Sequence, residues 1–327
     1  MLNELPITLL AGIVLGASAH RAGLCTVKAV AEVMTSRQAH FLWSFLKASL
    51  WTAGLLSLAA LFGDDIALGH RPILAIGLAG GVLFGLGAGL NGACTFSTLS
   101  RLADGHLSML FTLAGWATAM TGVLKLLPDL HAPSIPVAMP RLLAIPLSLW
   151  MVWEARGIWR RRADVLAGVK GGYLALSPAV LLIALANSAL LLAGQPWSFT
   201  STALCSAGPL PLTPCHHPGL LWAVSGVAML TMVGSALWRG SFRIRRPRWQ
   251  SGLRHFAGGL AMGAGAALIP GGNDGLILFG LPAFSPHALP IYAAILLGVA
   301  MSLAAMRRAG LRLPQISCQG DICRSTM

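Results

Sequence analysis

Apolar stretches of about twenty residues recur from one end of this chain to the other, with no long polar segment between them, and that leaves few folds open. Only 10% of the 327 residues are charged, too few to clothe so much apolar sequence as a water-soluble body. In lipid, each stretch satisfies its own backbone groups by becoming a helix. The reading is an all-α membrane protein of about nine transmembrane helices. They are expected at roughly 5–22, 41–61, 72–91, 107–127, 138–157, 173–193, 219–238, 256–270 and 286–306, the eighth being short. One polytopic membrane domain is expected over 1–313, with repeat halves at about 1–130 and 170–306, and a short tail over 314–327.

The formal net charge of +13 does not mark a nucleic-acid partner, because the Lys and Arg residues fall in short loops beside apolar stretches. Three connections carry most of them: Arg156 to Lys170, Arg239 to Arg254, and Arg307 to Arg312. By the positive-inside rule all three are cytoplasmic, which puts the N-terminus outside and the C-terminus inside. The Asp64-Asp65 loop and the Pro-rich stretch from Pro128 to Pro140 then lie outside. The start of the chain has no basic n-region, so the first span is expected to be kept rather than cleaved.

Three segments share one spacing. Gly12, Gly16, Gly23, Cys25 and Thr26 are repeated 69 residues later as Gly81, Gly85, Gly92, Cys94 and Thr95. Gly259 and Gly263 keep the offset in a third copy, where the cysteine position falls on Gly272, followed by Asn273 and Asp274. Self-similarity of this kind is a mark of transporter folds. Glycines four apart let another backbone approach closely, so this part of the motif is packing. Each copy then breaks helical character, at Gly23-Leu24-Cys25, Gly92-Ala93-Cys94 and Pro270-Gly271-Gly272, and a fourth break lies at Pro196 to Thr200. Breaks at membrane depth must be enclosed by protein or line a cavity. The expectation is re-entrant loops, two from each side, arranged as an inverted repeat whose helix N-termini suit an anion.

Residues at these breaks admit two readings. Cys25 and Cys94 are either small apolar packing residues or soft thiols facing a ligand that has its own sulfur end. Asp274 is either a functional ionisable group at membrane depth or a cap for the helix that follows. Arg101 and Asp104 read as a local surface pair. Cys205 and Cys215, ten apart in an outer segment, form a disulfide only in the less favoured reading. Cys318 and Cys323 read as an inert exposed tail, their spacing being weak evidence for a metal or a thiol relay. His216 and His217 read as a solvated turn, so no metal and no cofactor is expected. No Walker loop, His-Glu-x-x-His or nucleophile elbow is found, and the chain does not read as an enzyme.

Gly-Leu-Cys-Thr at 23–26, Gly-Ala-Cys-Thr at 92–95 and Gly-Gly-Asn-Asp-Gly at 271–275 together resemble the motifs of the YeeE/YedE sulfur transport proteins, over nearly the whole chain. The resemblance implies a multi-pass protein of the bacterial inner membrane, with nine spans and re-entrant loops meeting at its centre. It implies thiosulfate uptake along a path lined by Cys25 and Cys94, with Thr26, Thr95, Thr200, Gly272, Asn273 and Asp274 around it. The family's thiosulfate transporters carry a third cysteine in a Gly-Cys-Asn motif, and this chain has Gly272 there. The expected partners are thiosulfate or a related sulfur anion and the lipid bilayer, with a soluble sulfur-carrier protein in the sulfurtransferase alternative. A membrane sulfurtransferase working through a Cys persulfide, transport of another sulfur or selenium species, and a passive channel are the alternatives.

Overall fold

The computed structural model describes residues 5–63, 66–127, 134–207, 215, 217–269, 271–311 and 313–326. Asp64, Asp65, residues 128–133, His216, Pro270 and Arg312, which carried some of the expectations above, lie outside them. The elements in chain order are α1 (Leu5–Ala22), α2 (Thr26–Ser36), α3 (His40–Leu61), β1 (Ala67–His70), α4 (Ala75–Asn91), α5 (Thr95–Ala103), α6 (Met109–Leu126) and β2 (Ile135–Ala138). There follow α7 (Ala144–Arg160), α8 (Arg162–Lys170), α9 (Leu176–Leu192), α10 (Phe199–Ala207), α11 (Pro218–Trp238), α12 (Trp249–Leu268), α13 (Gly272–Gly275) and α14 (Ala288–Arg308). Strands β3 (Gln315–Gln319) and β4 (Ile322–Thr326) close the chain as a hairpin.

The protein is helical and membrane-embedded. Among the described residues, six helical stretches are long and apolar enough to cross a bilayer, at 5–36, 40–61, 75–103, 109–126, 218–238 and 288–308, and α9 is a shorter apolar helix. A helix occupies each of the nine stretches expected from the sequence, with two shifts. The eighth is not short: α12 begins at Trp249, seven residues before the apolar run, because amphipathic sequence carries the helix past its lipid-facing part. The fifth begins only at Ala144, since residues 135–138 pair with β1 as an antiparallel ribbon. The fold is that of an all-α membrane protein, to which the described residues add two small two-stranded sheets.

The repeated glycines set the packing. A methyl group on Gly16 would stand 2.3 Å from the Ala228 carbonyl of α11, one on Gly85 2.2 Å from the Ile295 carbonyl of α14, and one on Gly263 2.2 Å from the Trp116 carbonyl of α6. Each copy of the motif thus seats one helix backbone against another: α1 on α11, α4 on α14, α12 on α6. Lipid offers no hydrophobic gain for bringing helices together, so close backbone approach and dispersion must hold them.

The cation-rich connections gather on one face. The Asp104 carboxylate of the α5 C-terminus meets His20 at 3.3 Å, Arg239 at 3.6 Å and the Ser241 hydroxyl at 2.6 Å, while Arg243 N–H donates to the Asp104 carbonyl. Burial works against that carboxylate, but the hydrogen bonds from His20 and Ser241, with the charges of His20 and Arg239, hold its pKa below the usual value. The expected local pair with Arg101 is replaced by this longer-range cluster. The tail docks on the same face: Asp321 accepts from Ser177 N–H at 2.8 Å and caps α9, whose Ser177 hydroxyl also receives Lys47 Nζ, the partner of Glu154 at 2.5 Å. The tail is held, not loose.

Candidate functional site

Gly23 and Gly92 end α1 and α4 with positive φ, 62° and 73°, a turn that lets the chain leave the helix without a Cβ clash. Two residues later Cys25 and Cys94 are extended and stand at the N-cap positions of α2 and α5, where neither side chain caps. Both thiols are free, buried and close enough to influence each other, so the two copies of the motif meet at their cysteines. The pairing was not legible in the spacing; only the equivalence of the two positions was.

The other two breaks close over this pair. Thr95 Oγ1 donates to Asn273 Oδ1 at 2.8 Å, which ties the second copy to the third. Thr200 N–H donates to Asp274 Oδ2 at 3.0 Å, which ties the fourth break to the third. Asp274 is buried, not near a surface, and the helix it caps is α10 rather than its own. Ser198 and Ser201 satisfy each other's N–H at 3.0 and 2.8 Å, so the N-terminus of α10 is already filled. That end carries a carboxylate and two hydroxyls, which changes the expectation that all four helix N-termini are open to an anion. Thr26 lies buried opposite Tyr292.

Buried polar side chains gather here as two facing pairs, Thr26 with the Tyr292 hydroxyl and Thr200 with Asp274, beside Asn273, whose Nδ2 has no partner at hydrogen-bonding geometry. Buried polar groups are ordinarily paired, and these side chains mark a polar centre inside an apolar bundle. A cavity of about 370 Å³ between α5, α6, α10, α11 and α12 reaches Thr95 and is lined by Thr98, Phe199, Thr202, Trp116 and Met262 among others. The larger cavity, about 580 Å³, lies at the tail and α8, away from the cysteines.

Sequence reasoning missed three residues here. Lys28 Nζ donates to the Gly23 carbonyl at 3.2 Å and lies within electrostatic range of both thiols and of Arg101. Asn91 is a fully buried hub: its amide N donates to Ala93 O and Thr98 Oγ1 at 3.0 Å, and its Oδ1 accepts from Thr112 at 2.7 Å and bonds His255 at 2.8 Å. Asn187 donates to Leu278 O at 2.6 Å and holds the π-helical turn that follows α13. The signal available in sequence was a lone amide or ammonium inside an apolar run.

Cys205 and Cys215 are disulfide-bonded, against the reading favoured by their spacing, on the face opposite the cations where α11 begins. His217 is the N-cap residue of α11 and its carbonyl accepts from Leu220 and Leu221, a turn as expected. Cys318 and Cys323 are also joined, across the β3–β4 hairpin, and pack against the core beside Glu32 and His40 rather than standing free. A comparison of the sequence with curated proteins finds no match. The family model described as "Sulphur transport" matches residues 21–301, a span that holds both cysteine breaks, the Thr200 break and the whole of α13. The chain belongs to the sulphur transport family, and it is a multi-pass membrane protein that serves sulfur transport.

Proposed function

We propose that the chain takes up a small sulfur-containing anion, thiosulfate above all, through the centre formed by Cys25 and Cys94, in a bundle of nine spans with re-entrant breaks related as an inverted repeat. The observation that carries this reading is the meeting of two free, buried thiols, from equivalent positions of two repeat copies, among buried polar side chains in an apolar bundle. A thiol is a weak donor with a soft sulfur, matched to a substrate that ends in sulfur. Hydroxyl and amide donors from Thr200, Asn273 and Tyr292 suit its oxygen end. The N-termini of α2 and α5, at which the two cysteines stand, favour a negative charge.

The anion enters from the outer face through the 370 Å³ cavity beside Thr95, passes Asn273 and Gly272, and is held by Cys94 and then Cys25. Lys28 and Arg101 draw it on to the cation-rich, cytoplasmic face. Asp274 does not touch the anion; it locks the Gly272 and Thr200 breaks together. Each contact is individually weak, as conduction requires. In cells that lack other routes, the chain is expected to support uptake of labelled thiosulfate and to discriminate against sulfate, which has no sulfur end for the thiols. Equal uptake of the two anions would remove the thiols from the recognition step, and no uptake of either would rule thiosulfate out as substrate.

A further inference from the structure

The tail brings two cysteines to a place where other metal-ligating groups already wait. Cys318 and Cys323 of the hairpin, His40 at the start of α3 and Glu32 of α2 each offer one ligand atom, and the four atoms lie within 4.8 Å of one another. Glu32 is fully buried, whereas His40 is 39% exposed and bonds Glu32 Oε1 through Nδ1 at 2.7 Å. Cys318 Sγ stands 3.4 Å from the same oxygen. Glu32 Oε1 also accepts from His40 N–H, and its second oxygen accepts from Phe41 N–H at 3.0 Å, so the carboxylate is fixed in place. Donor atoms on a tetrahedral zinc ion stand about 3.3–3.8 Å apart, given bonds of about 2.0–2.3 Å. The longest separation must therefore close by about an ångström, while the two sulfurs, bonded to each other as a disulfide, and the His40–Glu32 pair, 2.7 Å apart, move outward once the bond is reduced; three of the four members sit on a hairpin and a helix start that can supply these shifts.

Redox compartment decides the state of the sulfurs. The hairpin lies on the cation-rich face, which the positive-inside rule assigns to the cytoplasm, where soluble dithiols keep protein thiols reduced. The other disulfide, Cys205–Cys215, lies on the opposite face, where oxidation persists. A soluble dithiol attacks the Cys318–Cys323 bond, passes two electrons to it and departs as its own disulfide, leaving a thiol on each cysteine. Both thiols lose a proton on binding a metal.

We infer that reduced Cys318 and Cys323, with His40 and Glu32, form a redox-gated site for a zinc-type divalent cation that ties the tail to α2, the helix whose N-terminus carries Cys25. Two thiolates, an imidazole and a carboxylate form a donor set suited to zinc, and the −3 they sum to outweighs the +2 of the ion by one charge, which the basic face can absorb. Oxidation removes two of the four ligands at once and releases the ion. The inference does not depend on what the protein transports.

The test uses the full chain in detergent, reduced with a phosphine, loaded with Zn²⁺ and washed free of loosely held metal. Elemental analysis is expected to find about one zinc per chain, and less than about a tenth of that after oxidation by a disulfide-forming reagent. Paired Cys318→Ser and Cys323→Ser is expected to abolish retention, and His40→Ala to weaken it at least about tenfold. A reduced parent chain that retains no zinc, or a double serine variant that retains as much as the parent, would overturn the inference. Should the variants aggregate, Co²⁺ binding to the unmodified reduced chain decides the matter: thiolate-to-cobalt charge-transfer absorption supports the site, and its absence from a cobalt-bound chain overturns it.

Discussion

A single methyl group added at Gly85 is expected to weaken the protein by about 1–3 kcal/mol, the usual range for overpacking a tight interior. The Cβ would lie 2.2 Å from the Ile295 carbonyl, 2.8 Å from Val299 N and 2.9 Å from Gly298 Cα, all of them backbone. No rotamer change can relieve a clash with backbone, so α4 and α14 must separate and give up dispersion contacts along their length. Gly226 on α11 supplies the control, since its added Cβ would meet nothing within 4 Å. Gly226→Ala is expected to be neutral or to gain up to about 1 kcal/mol from helix propensity. Thermal unfolding in detergent, monitored on Gly85→Ala and Gly226→Ala side by side, measures the contrast. Equal stability of the two variants would mean that the glycine repeat is not what holds the helices together.

Restoring a cysteine at Gly272 is expected to harm the protein rather than improve it. Gly272 has φ of 63°, and its added Cβ would stand 2.5 Å from Thr200 Cγ2 and 2.8 Å from Thr200 Oγ1. A non-glycine residue in that backbone region costs about 1–3 kcal/mol before any contact is counted. The clash with Thr200 adds to it, and the displaced Thr200 carries the N–H that Asp274 holds. Gly272→Cys is therefore expected to lose stability, while Gly272→Cys combined with Thr200→Gly recovers part of the loss. The coupling in that double-mutant cycle should reach about 0.5–3 kcal/mol, as for residues in direct contact. Strictly additive losses would show that Thr200 does not fill the place of the missing side chain. Thr200 occupies the volume that a side chain at position 272 would need, which is a physical reason for glycine there.

Much of the architecture was written in local sequence. The apolar runs located the helices because each helix satisfies its backbone alone, and glycines four apart marked the packing faces because no other residue permits such contact. The breaks at Cys25 and Cys94 were legible from Gly-x-Cys-Thr, since positive φ at Gly23 and Gly92 leaves a signature in residue type. What could not be read were contacts between distant segments. Asp274 binding Thr200 across 74 positions, Asn91 collecting Thr112 and His255, and the tail carboxylate of Asp321 capping α9 follow from the packed bundle, not from spacing. The same holds for Cys318 and Cys323, which looked idle in a short polar segment and gain partners only once Glu32 and His40 are folded beneath them. Strands β1 and β2 escaped notice because they are four-residue segments separated by the whole of α4 to α6.

The central claim is that the paired thiols are the path, and it is tested most directly by uptake of labelled thiosulfate in cells lacking other routes, comparing the parent chain with Cys94→Ala at matched levels in the membrane. Cys94 is 2% exposed and alanine removes only its sulfur, so the bundle should persist while one of the two soft contacts disappears. The account predicts uptake by the parent and a loss of tenfold or more, an order-of-magnitude figure equivalent to about 1.4 kcal/mol, in the variant. Uptake by Cys94→Ala at the parent's rate would contradict it.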